Sequence, residues 1–85
     1  MSIPLGASAQ TTAAYVPDSI TVSVGTTVKW TNNDAIAHDV TSQSNLFLSG
    51  NMEPGATFSR TFQSTGTFPY YCTIHSRMTG TVTVQ

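Results

Sequence analysis

Apolar and polar residues alternate strictly along Ile20-Thr21-Val22-Ser23-Val24, the pattern of a strand with one buried face. Gly25-Thr26 turns the chain. Thr27-Val28-Lys29-Trp30-Thr31 then alternates again, with Val28 and Trp30 on the inner face. Asn32-Asn33-Asp34 is turn chemistry, because short polar side chains bond to nearby backbone. A further strand is predicted over 36–41, with His38 and Val40 on one side. The stretch 41–55 is the least regular, a long connection with a short edge strand. Strands are predicted again over 57–62, 67–72 and 81–84. In the second of these, period two places Phe68, Tyr70 and Cys72 on one face. Pro69 removes a ladder donor there and should face an edge or a bulge. Residues 1–14 are small and polar, and they read as an arm or first edge strand ahead of a domain over 15–85. No helix of ordinary length is predicted. Short strands between turn signals predict an all-β sandwich or barrel.

Composition narrows the chemistry. A chain of 85 residues makes one small domain with a marginal core, of the kind a disulfide or a metal often reinforces. A single cysteine excludes an internal disulfide and leaves a metal. Charged residues are 8% of the chain and the net charge is -1, so there is no basic footprint for nucleic acid and no polybasic patch for anionic membranes. No stretch has the length of a membrane span. Residues 1–14 lack the basic start and apolar core of a signal peptide. Low charge with abundant Thr, Ser, Asn and Gly points to a secreted β-domain.

The chemistry is concentrated in one stretch, Tyr70-Tyr71-Cys72-Thr73-Ile74-His75-Ser76-Arg77-Met78-Thr79-Gly80. Cys72, His75 and Met78 are spaced i, i+3, i+6, and a tight turn of about three residues per turn would aim all three the same way. Thiolate and imidazole also serve tetrahedral zinc, but thioether is not a usual zinc ligand. Two imidazoles and a thiolate in a plane, with a long axial thioether, describe an electron-transfer copper site. The second imidazole has to come from His38, which must therefore lie close in space. Each residue has an ordinary role to set against this. A lone cysteine or methionine is usually packing, and a strand histidine is usually just hydrogen-bonded. The spacing and the flanking strands favour the ligand reading, and Met52, with no such companions, reads as packing near the site. A Cys/His protease would need an oxyanion hole and a group to orient its base, and neither is visible. Trp30 reads as the core of the sandwich. Tyr70 reads as a tyrosine corner or as plain packing, and Lys29, Arg60 and Arg77 as solvated.

The pattern Tyr71-Cys72-x-x-His75-x-x-Met78-x-Gly80-x-Val82-x-Val84, with Ala37-His38-Asp39-Val40 upstream, resembles the cupredoxins, or blue copper proteins. The short loop is most similar to amicyanin-like members, and the likeness runs from about Tyr15 to Val84. It implies a Greek-key β-sandwich holding one type 1 copper through His38, Cys72, His75 and Met78. The protein would be a small soluble electron carrier and not an enzyme. It would be a monomer, and redox partners would dock near His75 among Ala35, Ile36, Ile74 and Met52. The alternative is a copper with an open position that oxidises or reduces a small molecule such as nitric oxide. Two histidines cannot also build a three-copper centre. Copper storage usually uses several Met or Cys in a flexible segment, which the strand-framed set here opposes. The resemblance also implies a periplasmic or extracellular site of action, with a signal or anchor removed. Asp39 stands where many family members have Asn. Its backbone N–H is expected to approach the Cys72 sulfur, and its carboxylate to take the Thr73 hydroxyl and to favour Cu(II). Ile74 and Ser76 stand where relatives often have Pro, which implies a less rigid loop.

Overall fold

The protein is seen as a computed structural model that describes residues 1–10 and 14–85. Residues 11–13 of the predicted arm lie outside the described residues. Among the described residues seven short strands form two facing sheets: β1 (Ser2–Ile3), β2 (Ser19–Val22), β3 (Thr27–Asn32), β4 (Thr41–Ser42), β5 (Thr57–Thr61), β6 (Gly66–Tyr71) and β7 (Thr79–Val84). One sheet has the order β1-β3-β5 and the other β2-β7-β6-β4. From β3 onward the chain changes sheet at every step until the β6–β7 hairpin. The expected all-β sandwich is thus present. The one helical element among the described residues is a 3-10 turn at Ala7–Ala9, and no described helix is long and apolar enough to cross a membrane.

Alternation sets the core. Val28 and Trp30 of β3 point inward, as do Val82 and Val84 of β7, and all four are buried. Trp30 stacks on its cross-strand partner Phe58 at 5.6 Å between ring centres, and it meets Tyr70 of the other sheet edge-on at 5.3 Å. Tyr15 completes the cluster, 4.8 Å from Tyr70. Burying each such side chain contributes about 1.5–3 kcal/mol. The first residues belong to this core: β1 pairs with β3 in parallel, and Ile3 and Ala7 are buried.

Two local predictions need comment. Pro69 lies in β6 between β7 and β4, yet its missing N–H leaves no gap in the ladder. Its carbonyl accepts from Gln43 N–H, so its donor side faces away from β7, just past the end of the two-residue β4. That side is in effect an edge. The strand predicted over 36–41 is not continuous. His38 bridges Met52 and Thr41 bridges Leu48, so three steps on one side face four on the other. The extra residue is taken up around Gly50, at φ 72. Such a bulge breaks the ladder and re-aims the side chains beside it.

Gly80 is fixed by contact and not by its own backbone. It pairs with Tyr70 across β6–β7, and a Cβ there would run into the Tyr70 ring and hydroxyl. The Tyr70 hydroxyl and the Trp30 indole N–H have no hydrogen-bond partner among the described residues, so Tyr70 serves as packing and not as a tyrosine corner. Burial pushes the Tyr70 phenol far above its ordinary range. Gly80→Ala should therefore destabilise the copper-free protein by about 1–3 kcal/mol through overpacking, lowering Tm by roughly 4–8 °C per kcal/mol in a domain of this size. Adding Tyr70→Phe should recover part of that loss, and thermal unfolding of the single and double variants measures both effects.

Candidate metal centre

Cys72 is the first residue after β6, and Thr79 opens β7, so the loop between them is pinned at both ends. It also closes on itself. Met78 N–H donates to the His75 carbonyl at 2.9 Å, and Cys72 N–H donates to the Met78 carbonyl at 3.1 Å. The regular three-residue coil suggested by the spacing is not formed; bends and this one turn replace it. His38 comes from the other ribbon. Its N–H and carbonyl exchange hydrogen bonds with Met52 at 3.1 and 2.8 Å, and three residues later β4 begins to pair with β6, Thr41 opposite Tyr71. That pairing carries His38 to the end of the sheet where Cys72 emerges.

The ligand atoms of His38, Cys72 and His75 all lie within 4.8 Å of one another. Nδ1 of His38 is 3.9 Å from the Cys72 sulfur, and the two imidazole rings are 5.2 Å apart. His38, Cys72 and Met78 are fully buried and His75 is half-buried. Nδ1 of His75 is buried with no hydrogen-bond partner among the described residues. A buried nitrogen left unsatisfied is costly unless something else takes its lone pair, and a shared cation would do so. Thiolate, two imidazoles and a thioether suit copper better than zinc. The ligand atoms of three predicted residues converge and Met78 is buried in the same loop, so the chemistry of this set fits the group the sequence implied.

Polar residues hold this end together. Asp39 joins the two ligand-bearing segments: its carboxylate accepts the Thr73 N–H at 2.9 Å, the Thr73 hydroxyl, and the Thr41 hydroxyl at 3.1 Å. The Thr73 contact agrees with expectation. The expected bond from the Asp39 backbone N–H to the Cys72 sulfur is not among those formed by the described residues, where the sulfur's one partner is His38. The Asp39 carbonyl is taken by the Tyr15 hydroxyl at 2.7 Å. Burial, then the nearby Cys72 and Asp39, push the Tyr15 phenol far above its ordinary range.

Asp34 departs most from the sequence reading. It sits in the bend after β3 as expected, but it is also buried, and its Oδ2 lies 2.6 Å from Nε2 of His38. That contact, against an opposing effect of burial, holds its carboxyl below the usual carboxylate range. Asn32 is buried at the end of β3 and donates to the carbonyls of Ile36 and Met52, both at 2.9 Å. A carboxylate four residues before a candidate ligand was the available signal for Asp34. Nothing in the sequence marked Tyr15. Ile36 and Ile74, 45% and 51% exposed, leave apolar surface next to the ligands.

Over residues 3–85 the chain matches the family described as copper binding proteins, plastocyanin/azurin family. It is 34% identical over 84 residues to the plastocyanin of Scenedesmus fuscus, covering 84% of this chain and 86% of that one. It is 36% identical over 76 residues to the amicyanin of Paracoccus denitrificans, covering 84% of this chain but only 58% of that longer protein. Among solved structures, a purple cupredoxin from Nitrosopumilus maritimus superposes with a TM-score of 0.90 at 35% identity, over 99% of this chain and 96% of that one. By sequence, by fold and by the donor set gathered at one end of the sandwich, the chain belongs to the copper-binding plastocyanin/azurin family, the cupredoxins.

Proposed function

We propose that the protein carries single electrons between redox partners, using one copper that His38 Nδ1, Cys72, His75 and Met78 would hold. The convergence of Cys72, His38 and His75, with the partnerless Nδ1 of His75 among them, carries this reading. Bound there, copper supplies reversible Cu(II)/Cu(I) exchange. The chain's own contribution is restraint. His38 is fixed by backbone pairing with Met52, and Cys72 and Met78 by a loop that closes on itself. A cage of this kind limits rearrangement between oxidation states. Three of the four side chains are fully buried, which favours electron transfer over binding of a small molecule. Half-buried His75 and the exposed Ile36 and Ile74, each close in sequence to a candidate ligand, support docking of a partner on this face through a small, transient contact. By resemblance to the family, we also infer action outside the cytoplasm.

Titrating the purified protein with Cu(II) should give an intense thiolate-to-copper visible band that saturates at one equivalent and disappears in Cys72→Ser. A weak band alone, or one unaffected by that substitution, would count against the site. Asp39→Asn removes a negative charge beside both ligand segments. It should raise the reduction potential by on the order of 60 mV, about tenfold in Cu(II) over Cu(I) preference, as read by cyclic voltammetry. Ile74→Lys places like charges face to face when two molecules meet. It should slow electron self-exchange, followed by NMR line broadening, by about tenfold while leaving the potential nearly unchanged.

A further inference from the structure

The Asp34 carboxylate is held so that one of its lobes is committed and the other is aimed. Oδ1 accepts the backbone N–H of Ala35 at 2.7 Å and of Gly6 at 3.1 Å. The Asp34 N–H donates to Oδ1 of Asn32 at 2.9 Å. Asn32 is itself anchored on both sides of the His38 ribbon, through Ile36 and Met52. The remaining oxygen, Oδ2, meets Nε2 of His38 at 2.6 Å, in a pair whose side chains are 5% and 0% exposed.

A neutral imidazole has one N–H and one lone pair, and a neighbour decides which nitrogen keeps the proton. A carboxylate only accepts, so it draws the proton to Nε2. The lone pair is then left on Nδ1, the nitrogen 3.9 Å from the Cys72 sulfur. We propose that Asp34 is a positioning residue for the metal: it holds His38 in the Nε2–H tautomer, with Nδ1 presented toward Cys72 before any ion arrives. The inference rests on the reading of His38 as a ligand. It also gives the N-terminal segment a part in the site, since Gly6 is one of the donors that orient the carboxylate. Outer carboxylates of this kind are worth about 10–100-fold in metal affinity.

Asp34→Asn tests the idea with little change of shape. The two backbone N–H groups at Oδ1 will retain the amide oxygen, so the amide NH2 will face Nε2. His38 must then accept at Nε2 and carry its proton on Nδ1, the wrong tautomer for a ligand; a buried carboxylate-to-amide change acts the same way on a catalytic histidine elsewhere. Nitrogen-15 NMR of the copper-free protein, well above the imidazole range, should show Nε2–H for His38 in the wild type and Nδ1–H in Asp34→Asn. Cu(II) affinity should fall about 10–100-fold in that variant, and Asp34→Glu should restore the wild-type tautomer and most of the affinity. An Nδ1–H tautomer in the wild type overturns the proposal without recourse to any variant. So does an Asp34→Asn protein that keeps Nε2–H, or that binds Cu(II) within twofold of wild type. A wild-type protein with no thiolate-to-copper band would instead refute the copper reading, and the tautomer assignment would stand or fall separately.

Discussion

The hydrogen-bonded pairing of Thr41-Ser42 with Tyr71-Tyr70 is the constraint on which the metal end depends. It is only two residues long, yet it fixes which part of the preceding ribbon lies beside the end of β6. A slip of one residue would turn every side chain of that segment to the other face, and His38 would leave Cys72. The register is secured from both directions. On one side β6 is zipped to β7 over its full length. On the other, the 38–42 segment is tied to Met52, Ser49 and Phe47 by backbone bonds. The bulge near Gly50 lets that ribbon close on the sheet while bringing His38 over its end.

Around this junction the interior is unusually polar for so small a core. Asn32, Asp34, His38, Asp39, Thr41 and Ser42 are all buried. Burying such groups unpaired would cost several kcal/mol apiece, so they are arranged as donors and acceptors to one another and to the backbone. The two carboxylates divide the work. Asp39 ties the His38 segment to the Cys72 segment through Thr73. Asp34 faces the far nitrogen of His38 and ties it to the first residues of the chain. A network in which each member is satisfied is rigid, which suits a site whose ligands should hardly move when an electron arrives. The aromatic cluster of Trp30, Tyr15, Tyr70 and Phe58 lies beneath it and supplies the apolar support. Gly80 lets the Tyr70 ring lie flat across the neighbouring strand.

Much of this was legible in the sequence, for a physical reason. Period-two alternation reports a half-buried strand directly, so β3, β5, β6 and β7 were placed within a residue or two of where they lie. The i, i+3, i+6 run of Cys, His and Met is local, so three of the four candidate ligands and the kind of metal were visible without a fold. So was the Asp39 contact with Thr73, which follows once the two ligand segments are neighbours. Only the tertiary structure decided the rest. That His38 is close enough to serve, that its ribbon is broken by a bulge and is not a strand, and that Pro69 faces a free edge all depend on pairing between distant segments. Asp34 and Tyr15 act through contacts 4 and 24 residues away in sequence. Tyr15 carries no periodic or spacing signal and Asp34 only its place four residues before His38, because the role of a buried polar side chain is set by whichever backbone and side-chain groups folding brings to it.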